Sequence, residues 1–194
     1  MTEEMPLTVT LIVAGAARTG KSAFLRAVQE RLQPREGATA ASISTPALLD
    51  WLPVPLGPIG GREVVLHLYV VPAPGSADAT RRLVLAEAAG VVFVADAQAH
   101  RLDDNLAAMA DLWAGLGDVS EHPRRVPMVI FYSKHDLPAD LVLGRSALDD
   151  LINFAGVPSF AGDALRGDGV LEALQAVIGP ALRRLARPGA VAAG

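Results

Sequence analysis

The chain has no cysteine. Thiol nucleophiles, disulfide staples and cysteine-ligated metal centres are therefore excluded. Charge is also scarce. Only 20% of the 194 residues are Asp, Glu, Lys or Arg, and 21 acids outnumber 17 bases. The net charge of −4 argues against a general nucleic-acid binder, which needs a basic surface for the phosphate backbone. The start of the chain carries acids, Glu3 and Glu4, where a secretory signal would carry bases, so no signal peptide is expected. No stretch approaches the roughly 18 clean apolar residues of a membrane span, and the expected location is the cytoplasm. The four histidines, His67, His100, His122 and His135, lack the spacing of a metal site. What is plentiful is apolar. At 51% hydrophobic, a chain of one-domain length can bury a sizeable core, which excludes disorder throughout.

The apolar run Leu7–Ala14 leads directly into GAARTGKS, Gly15 to Ser22. This is the G-x-x-x-x-G-K-[ST] phosphate loop in the strand-to-helix setting the motif requires. Backbone N–H groups of such a loop wrap the terminal phosphates of a nucleotide. Lys21 reaches the β- and γ-phosphates and Ser22 ligates Mg²⁺. The following helix adds its N-terminal dipole to the same charge.

Periodicity supplies the frame. Ser22–Leu32 carries Phe24, Leu25, Val28 and Leu32 at helical spacing, and Pro34 and Gly37 end that helix. Residues 35–47 read as a loop or irregular strand. Leu48–Val54 is expected to be extended, followed by a Pro/Gly-rich turn region. Gly60-Gly61 predicts a hairpin turn into a strand over Val64–Val71. The segment Val70–Ala77 breaks that strand. Further helices are expected at Ala79–Ala88, Leu102–Leu116, Leu143–Phe154 and Val170–Leu185, and strands at Val91–Ala95, Val126–Tyr132 and Pro158–Phe160. Strands alternating with helices predict an α/β fold with a mostly parallel sheet covered on both faces. A single domain is expected over 7–187, between a flexible start at 1–6 and a loose tail at 188–194.

The strand over Val126–Tyr132 runs into SKHD, Ser133 to Asp136. Ligands of such folds bind beyond the carboxyl ends of the strands, so this loop should lie beside the phosphate loop. GTP-binding proteins use an x-K-x-D segment there. A carboxylate in the place of Asp136 accepts hydrogen bonds from guanine N1–H and the exocyclic amine, and the stem of Lys134 packs across the base and the phosphate loop. A solvated turn is the alternative reading. Asp96, at a strand end on the same side, reads as a strand-end cap or as a nucleotide-side group. Trp51, Trp113 and His67 read as packing residues. His122, beside Arg124 and Arg125, reads as part of a solvated patch.

With these residues in place, the chain resembles the MglA-type bacterial Ras-like small GTPases, the polarity switches of gliding and twitching bacteria. The resemblance covers about residues 7–187. It rests on GAARTGKS (15–22), LLDWLP (48–53), HLYVVP (67–72), RRLVL (81–85), GVVFVADAQAHRL (90–102) and SKHDLP (133–138). It implies the three-layer P-loop NTPase fold of small GTPases, binding of GTP or GDP with Mg²⁺, and a roadblock (longin-like, MglB-type) partner that stimulates hydrolysis. It also implies nucleotide contacts at Gly15, Ala17, Arg18, Thr19, Gly20, Lys21, Ser22, Ala23, Lys134 and Asp136, and at Ala164 in a later base-contacting loop, with Ser22 on the metal.

Departures from the family pattern are equally specific. The family's VPGQ segment falls on Val71, Pro72, Ala73 and Pro74, so the water-orienting glutamine is replaced by a residue with no polar side chain. Pro74 also biases Ala73 away from the helical region. Val70 stands where Thr is usual. Aligning LLDWLP places the family's switch threonine on Pro46 and its arginine finger on Thr45. Ala17 replaces a loop glycine, its methyl directed to where γ-phosphate and water should meet. Arg18 either contacts phosphate or faces solvent. Ser133 replaces the usual Asn, whose carboxamide tethers the loops.

Three readings follow. One is a guanine-nucleotide-binding regulatory protein with weak or partner-dependent hydrolysis. Another is a pseudo-GTPase scaffold for protein interactions that no longer binds or hydrolyses nucleotide. The third is a P-loop kinase or ATPase, disfavoured by the position of SKHD and by the lack of a Gly/Arg-rich lid. No residue is assigned a catalytic role, because Pro46 and Pro74 hold the expected positions.

Overall fold

A computed structural model describes residues 5–32, 50–71, 78–119 and 125–185. In chain order the elements are β1 (Leu7–Ala14), α1 (Lys21–Leu32), β2 (Trp51–Ile59), β3 (Arg62–Val70), α2 (Asp78–Ala86), β4 (Gly90–Asp96), α3 (Leu102–Val119), β5 (Met128–Ser133), α4 (Arg145–Ile152), β6 (Ser159–Ala161) and α5 (Val170–Leu185). A short 3₁₀ turn, Ala99–Arg101, precedes α3. One six-stranded sheet runs in the order β2-β3-β1-β4-β5-β6. All its pairings are parallel except β2 with β3.

Two apolar cores sandwich the sheet. On one face, Phe24 and Val28 of α1 and Leu174 and Val177 of α5 pack on Val9, Leu11, Val92 and Phe131. On the other, Leu85 of α2, Met109 and Leu112 of α3 and Leu148 of α4 pack on Ile12, Phe93 and Ile130. The period-2 alternation sends successive residues of one strand, Leu11 and Ile12, into opposite cores. The central strands are buried on both faces, which is why β4 and β5 read as unbroken apolar runs. Phe24 meets Phe131 edge to face at 5.3 Å, seating α1 on β5.

The elements match the periodicity closely; several ends shift by one to three residues, and three differences have a local cause. The Pro/Gly-rich stretch after Val54, expected to turn, continues instead as the second half of β2, through Pro55 and Pro58. An edge strand tolerates proline because its outward N–H positions need no partner, and a register shift between Pro55 and Gly57 absorbs the irregularity. β5 begins at Met128 rather than Val126, because Pro127 intervenes. α4 begins two residues later than expected, at Arg145. Leu143 donates its N–H to Ala97 O (2.8 Å), and Gly144 caps the helix in an extended conformation. The predicted hairpin is present: Gly60 and Gly61, with φ of 60° and 84°, form the two-residue turn between β2 and β3. Among the described residues no helix is long and apolar enough to cross a membrane.

Candidate functional site

The loop between β1 and α1 lies at the carboxyl end of the central strand. Gly15 is required there. A Cβ at this position would sit 2.1 Å from Val94 O of β4, so only a bare backbone can turn against the neighbouring strand. Thr19 is fully buried and donates to Ala16 O (3.1 Å) across the loop. Helix α1 opens at once, with Phe24 N–H donating to Gly20 O (2.8 Å) and Ala23 buried in its first turn. The Lys21 ammonium folds back over the loop and donates to Gly15 O (2.9 Å) and Ala16 O (2.5 Å). Partial burial pushes its pKa down. Ala17 and Arg18 form the exposed apex. Arg18 adopts φ 62°, in the left-handed region that a β-carbon disfavours.

Two further loops, SKHD and the one at Ala164, converge on this one. The Ser133 hydroxyl lies 2.5 Å from Thr19 O and 3.2 Å from Ala95 O. A hydroxyl has one proton to donate, and the shorter contact is the one to the phosphate loop. The tether between loops that the family's Asn carboxamide makes is made here by the shorter side chain of Ser133. A Cβ added at Gly20 would lie 3.7 Å from both Ser133 Cβ and Ala164 Cβ, so the loop at Ala164 meets the same point. Ala164 is buried. The neighbouring turn is held by Leu165 N–H donating to Asp163 Oδ1 (2.7 Å) and by His135 N–H donating to Gly162 O (3.1 Å).

Lys134 and Asp136 differ in their surroundings. Lys134, at φ 61°, directs its ammonium to Asp96 Oδ2 (2.6 Å) rather than to the phosphate loop. Asp136 is exposed. Asp96 is fully buried at the end of β4, and Gln98 donates to it from both backbone and side chain (3.1 Å each to Oδ1). A buried carboxylate needs such partners. Asp96 is thus more than a strand-end cap: it binds the lysine of the SKHD loop.

Two side chains that sequence reasoning did not assign enter the site. The Ser22 hydroxyl donates to Asp50 Oδ2 at 2.7 Å, just before β2. The main-chain carbonyl of Asp50 in turn accepts the Val70 N–H (2.9 Å), so the Asp50 backbone lies beside the position where the family pattern has Thr and this chain has valine. Arg101 donates to Ala17 O at 2.6 Å and approaches Asp96 at 3.8 Å. Both residues lie in stretches that carry the family resemblance, LLDWLP and GVVFVADAQAHRL, but nothing local marks their contacts. Thr45, Pro46, Pro72, Ala73, Pro74, His122 and Arg124 lie outside the described residues.

The packing readings hold for the aromatics described. Trp51 stacks on Tyr69 (6.0 Å) and meets His67 edge to face (5.3 Å), and burial pushes the His67 pKa down. Trp113 packs against the core under α3. Among the described residues no group of three or more His, Asp or Glu side chains is placed to hold a metal ion.

A three-layer α/β domain with its loop-to-helix motif after β1 is the fold of Ras-like P-loop proteins. No protein-family model matches the chain. A curated relative, the mutual gliding-motility protein MglA of Myxococcus xanthus (strain DK1622), is 31% identical over 183 residues, which span 92% of this chain and 93% of the relative. The chain belongs to the MglA-type family of small GTPases and is a P-loop GTPase-like protein.

Proposed function

We propose that this protein is a guanine-nucleotide-binding, Ras-like regulatory protein whose GTP hydrolysis is weak or depends on a partner. The observation that carries the reading is the convergence of the phosphate loop with the SKHD loop through Ser133 and Thr19. In it, residues 15–22 and Ala23 hold the phosphates. Lys21 exchanges Gly15 O and Ala16 O for phosphate oxygens. Asp136 reads the guanine edge, Lys134 flanks the base while anchored on Asp96, and the Ala164 N–H meets guanine O6. The residues also suit Mg²⁺. Ser22 would supply a hydroxyl and Asp50 a carboxylate, both hard oxygen donors, held 2.7 Å apart. The bound ion would neutralise phosphate charge. The reading takes 7–187 as one domain and a roadblock-fold protein of the MglB type as the partner, as the family membership suggests.

Retained binding and impaired hydrolysis are compatible, because the groups that hold phosphate are not those that orient water. Pro46 and Pro74 favour a second reading, a pseudo-GTPase scaffold that no longer binds nucleotide, since neither can supply the polar side chain of its position. Calorimetry with Mg²⁺ and GTP, GDP or ATP on nucleotide-stripped protein separates the two. Guanine-selective binding at micromolar or tighter affinity, abolished by Lys21→Ala, supports the switch. No binding by folded protein supports the scaffold. Asp136→Ala should reduce the preference for GTP over ATP, and equal losses for both would contradict its role. Pro74→Gln alone should not restore turnover, because Pro46 and Ala73 remain.

A further inference from the structure

Arg101 makes a contact that neither the phosphate-loop motif nor the SKHD motif contains. Its Nη2 donates to Ala17 O at 2.6 Å, across 84 residues of sequence. Its Nε lies 3.8 Å from Asp96 Oδ2, and its Nη1 donates to Asp104 at the start of α3. The guanidinium is therefore held on two sides by carboxylates, and its remaining arm reaches the apex of the phosphate loop. A planar fork with fixed donor directions suits this three-way bridge, and an ammonium does not.

The base of Arg101 is equally fixed. Its N–H donates to Gln98 O (2.9 Å), and Ala99 N–H donates to Leu141 O (3.2 Å), tying the 3₁₀ turn to the chain beyond SKHD. Asn105 brackets Asp96 from α3, accepting its N–H (3.1 Å) and donating to its carbonyl (2.8 Å). Asp96 Oδ2 also takes the Lys134 ammonium, so one buried carboxylate faces a cation from the SKHD loop and a cation, Arg101, from the turn after β4.

The contact acts on one peptide plane. In a trans peptide the carbonyl of one residue and the N–H of the next point in opposite directions. Holding Ala17 O toward Arg101 therefore turns the Arg18 N–H away from it. Arg18 is the loop residue in the left-handed region, where an L side chain gains nothing from its own backbone preference. Lys21, Thr19 and Ser133 hold the carbonyls of Gly15, Ala16 and Thr19, and Arg101 holds that of Ala17, the one that shares its peptide with Arg18.

We propose that Arg101 is a positioning residue for the phosphate loop: it fixes the Ala17–Arg18 peptide so that the Arg18 N–H is presented to nucleotide phosphate, and through Asp96 it couples that peptide to Lys134 in the base-binding loop. This rests on the nucleotide-binding reading above. The guanidinium also adds a permanent positive charge beside the loop that receives phosphate.

The test uses the full chain loaded with fluorescent GDP and Mg²⁺. Arg101→Gln should speed nucleotide release roughly tenfold, the scale of one charge-assisted hydrogen bond. Arg101→Lys should fall between it and the unsubstituted protein, and keeps the test open if the glutamine variant does not fold. Arg184→Gln is the control, because Arg184 donates to Ala88 O (3.1 Å) at the opposite end of the sheet. A structural role alone would leave one further readout unmoved. In ¹⁵N-labelled, nucleotide-free protein the Arg18 amide resonance should shift in both Arg101 variants and stay in place in Arg184→Gln. If nucleotide binds normally and Arg101 variants neither speed release nor move the Arg18 amide, the proposal is overturned and the nucleotide-binding reading stands. If the unsubstituted protein binds no nucleotide, both fall together.

Discussion

Arg18 is the residue at which local preference and loop geometry conflict most openly. At φ 62° a β-carbon costs about 1–2 kcal/mol, and glycine avoids this while adding some chain entropy to the unfolded state. Arg18→Gly should therefore leave stability unchanged or raise it by up to about 1 kcal/mol, read as the urea midpoint. The same variant resolves the two readings of its side chain: weaker GTP binding would mean that the guanidinium contacts phosphate, and unchanged binding that it faces solvent. Gly15 is the opposite case. Gly15→Ala would press a methyl onto Val94 O at 2.1 Å, and we expect a loss above about 4 kcal/mol or failure to fold. Legibility also varies residue by residue. Lys21 and Ser22 are readable because the motif is contiguous. Asp50 and Arg101 are not, because an isolated Asp or Arg carries no local signal of the partner it will meet.

At the scale of elements, the far end of the sheet is pinned by one polar network. Tyr132 of β5 donates to Asp149 Oδ1 of α4 (2.9 Å), and Ser159 of β6 donates to Asp149 Oδ2 (2.9 Å). Arg145 donates to Ser159 Oγ (2.9 Å), and Asn153 closes the group through Asp149 and Val157. Burial first, and then the hydrogen bond to Asp149, push the Tyr132 phenol above its ordinary 10.0. The sign follows from linkage. The folded state holds the phenol proton more tightly than the unfolded chain, so this contribution is complete below pH 10 and is lost as pH rises beyond it. Tyr132→Phe should cost about 1–2 kcal/mol at neutral pH and reduce the alkaline loss of stability, measured by denaturant melts across pH 8–11. On the other flank, the buried Arg81 pairs with Asp111 and ties α2 to α3. Asp111→Ala leaves that cation without its partner, and we expect a loss of about 3 kcal/mol or more in the same melts. Element positions were largely readable because each reflects a local period. The far end of β2 is not readable in this way, since proline reads as a breaker until the strand is known to be at an edge.

For the molecule as a whole, ligand linkage gives the broadest check. A guanine nucleotide at a hundred times its dissociation constant should add about 2.7 kcal/mol. For a domain of this size that is a rise of roughly 5–10 °C in melting temperature. ATP at the same concentration should add much less, and Lys21→Ala should remove the rise with either nucleotide. A single transition in these melts is expected if 7–187 is one cooperative domain. An equal rise with ATP would contradict the role of Asp136.

The α/β class, the helix and strand positions, the phosphate loop and the SKHD loop were determined by the sequence alone. Each is a pattern of neighbouring residues: a period of two or 3.6, a glycine spacing, a loop at a strand end. The contacts that make these parts one site were decided by the tertiary structure. Ser22 finds Asp50 28 residues away, Arg101 finds Ala17 across 84, and Ser133 finds Thr19 across 114. Those distances close only when the parallel strands bring their carboxyl ends, and the antiparallel β2 its amino end, to one edge of the sheet, and the order of the strands determines which loops meet.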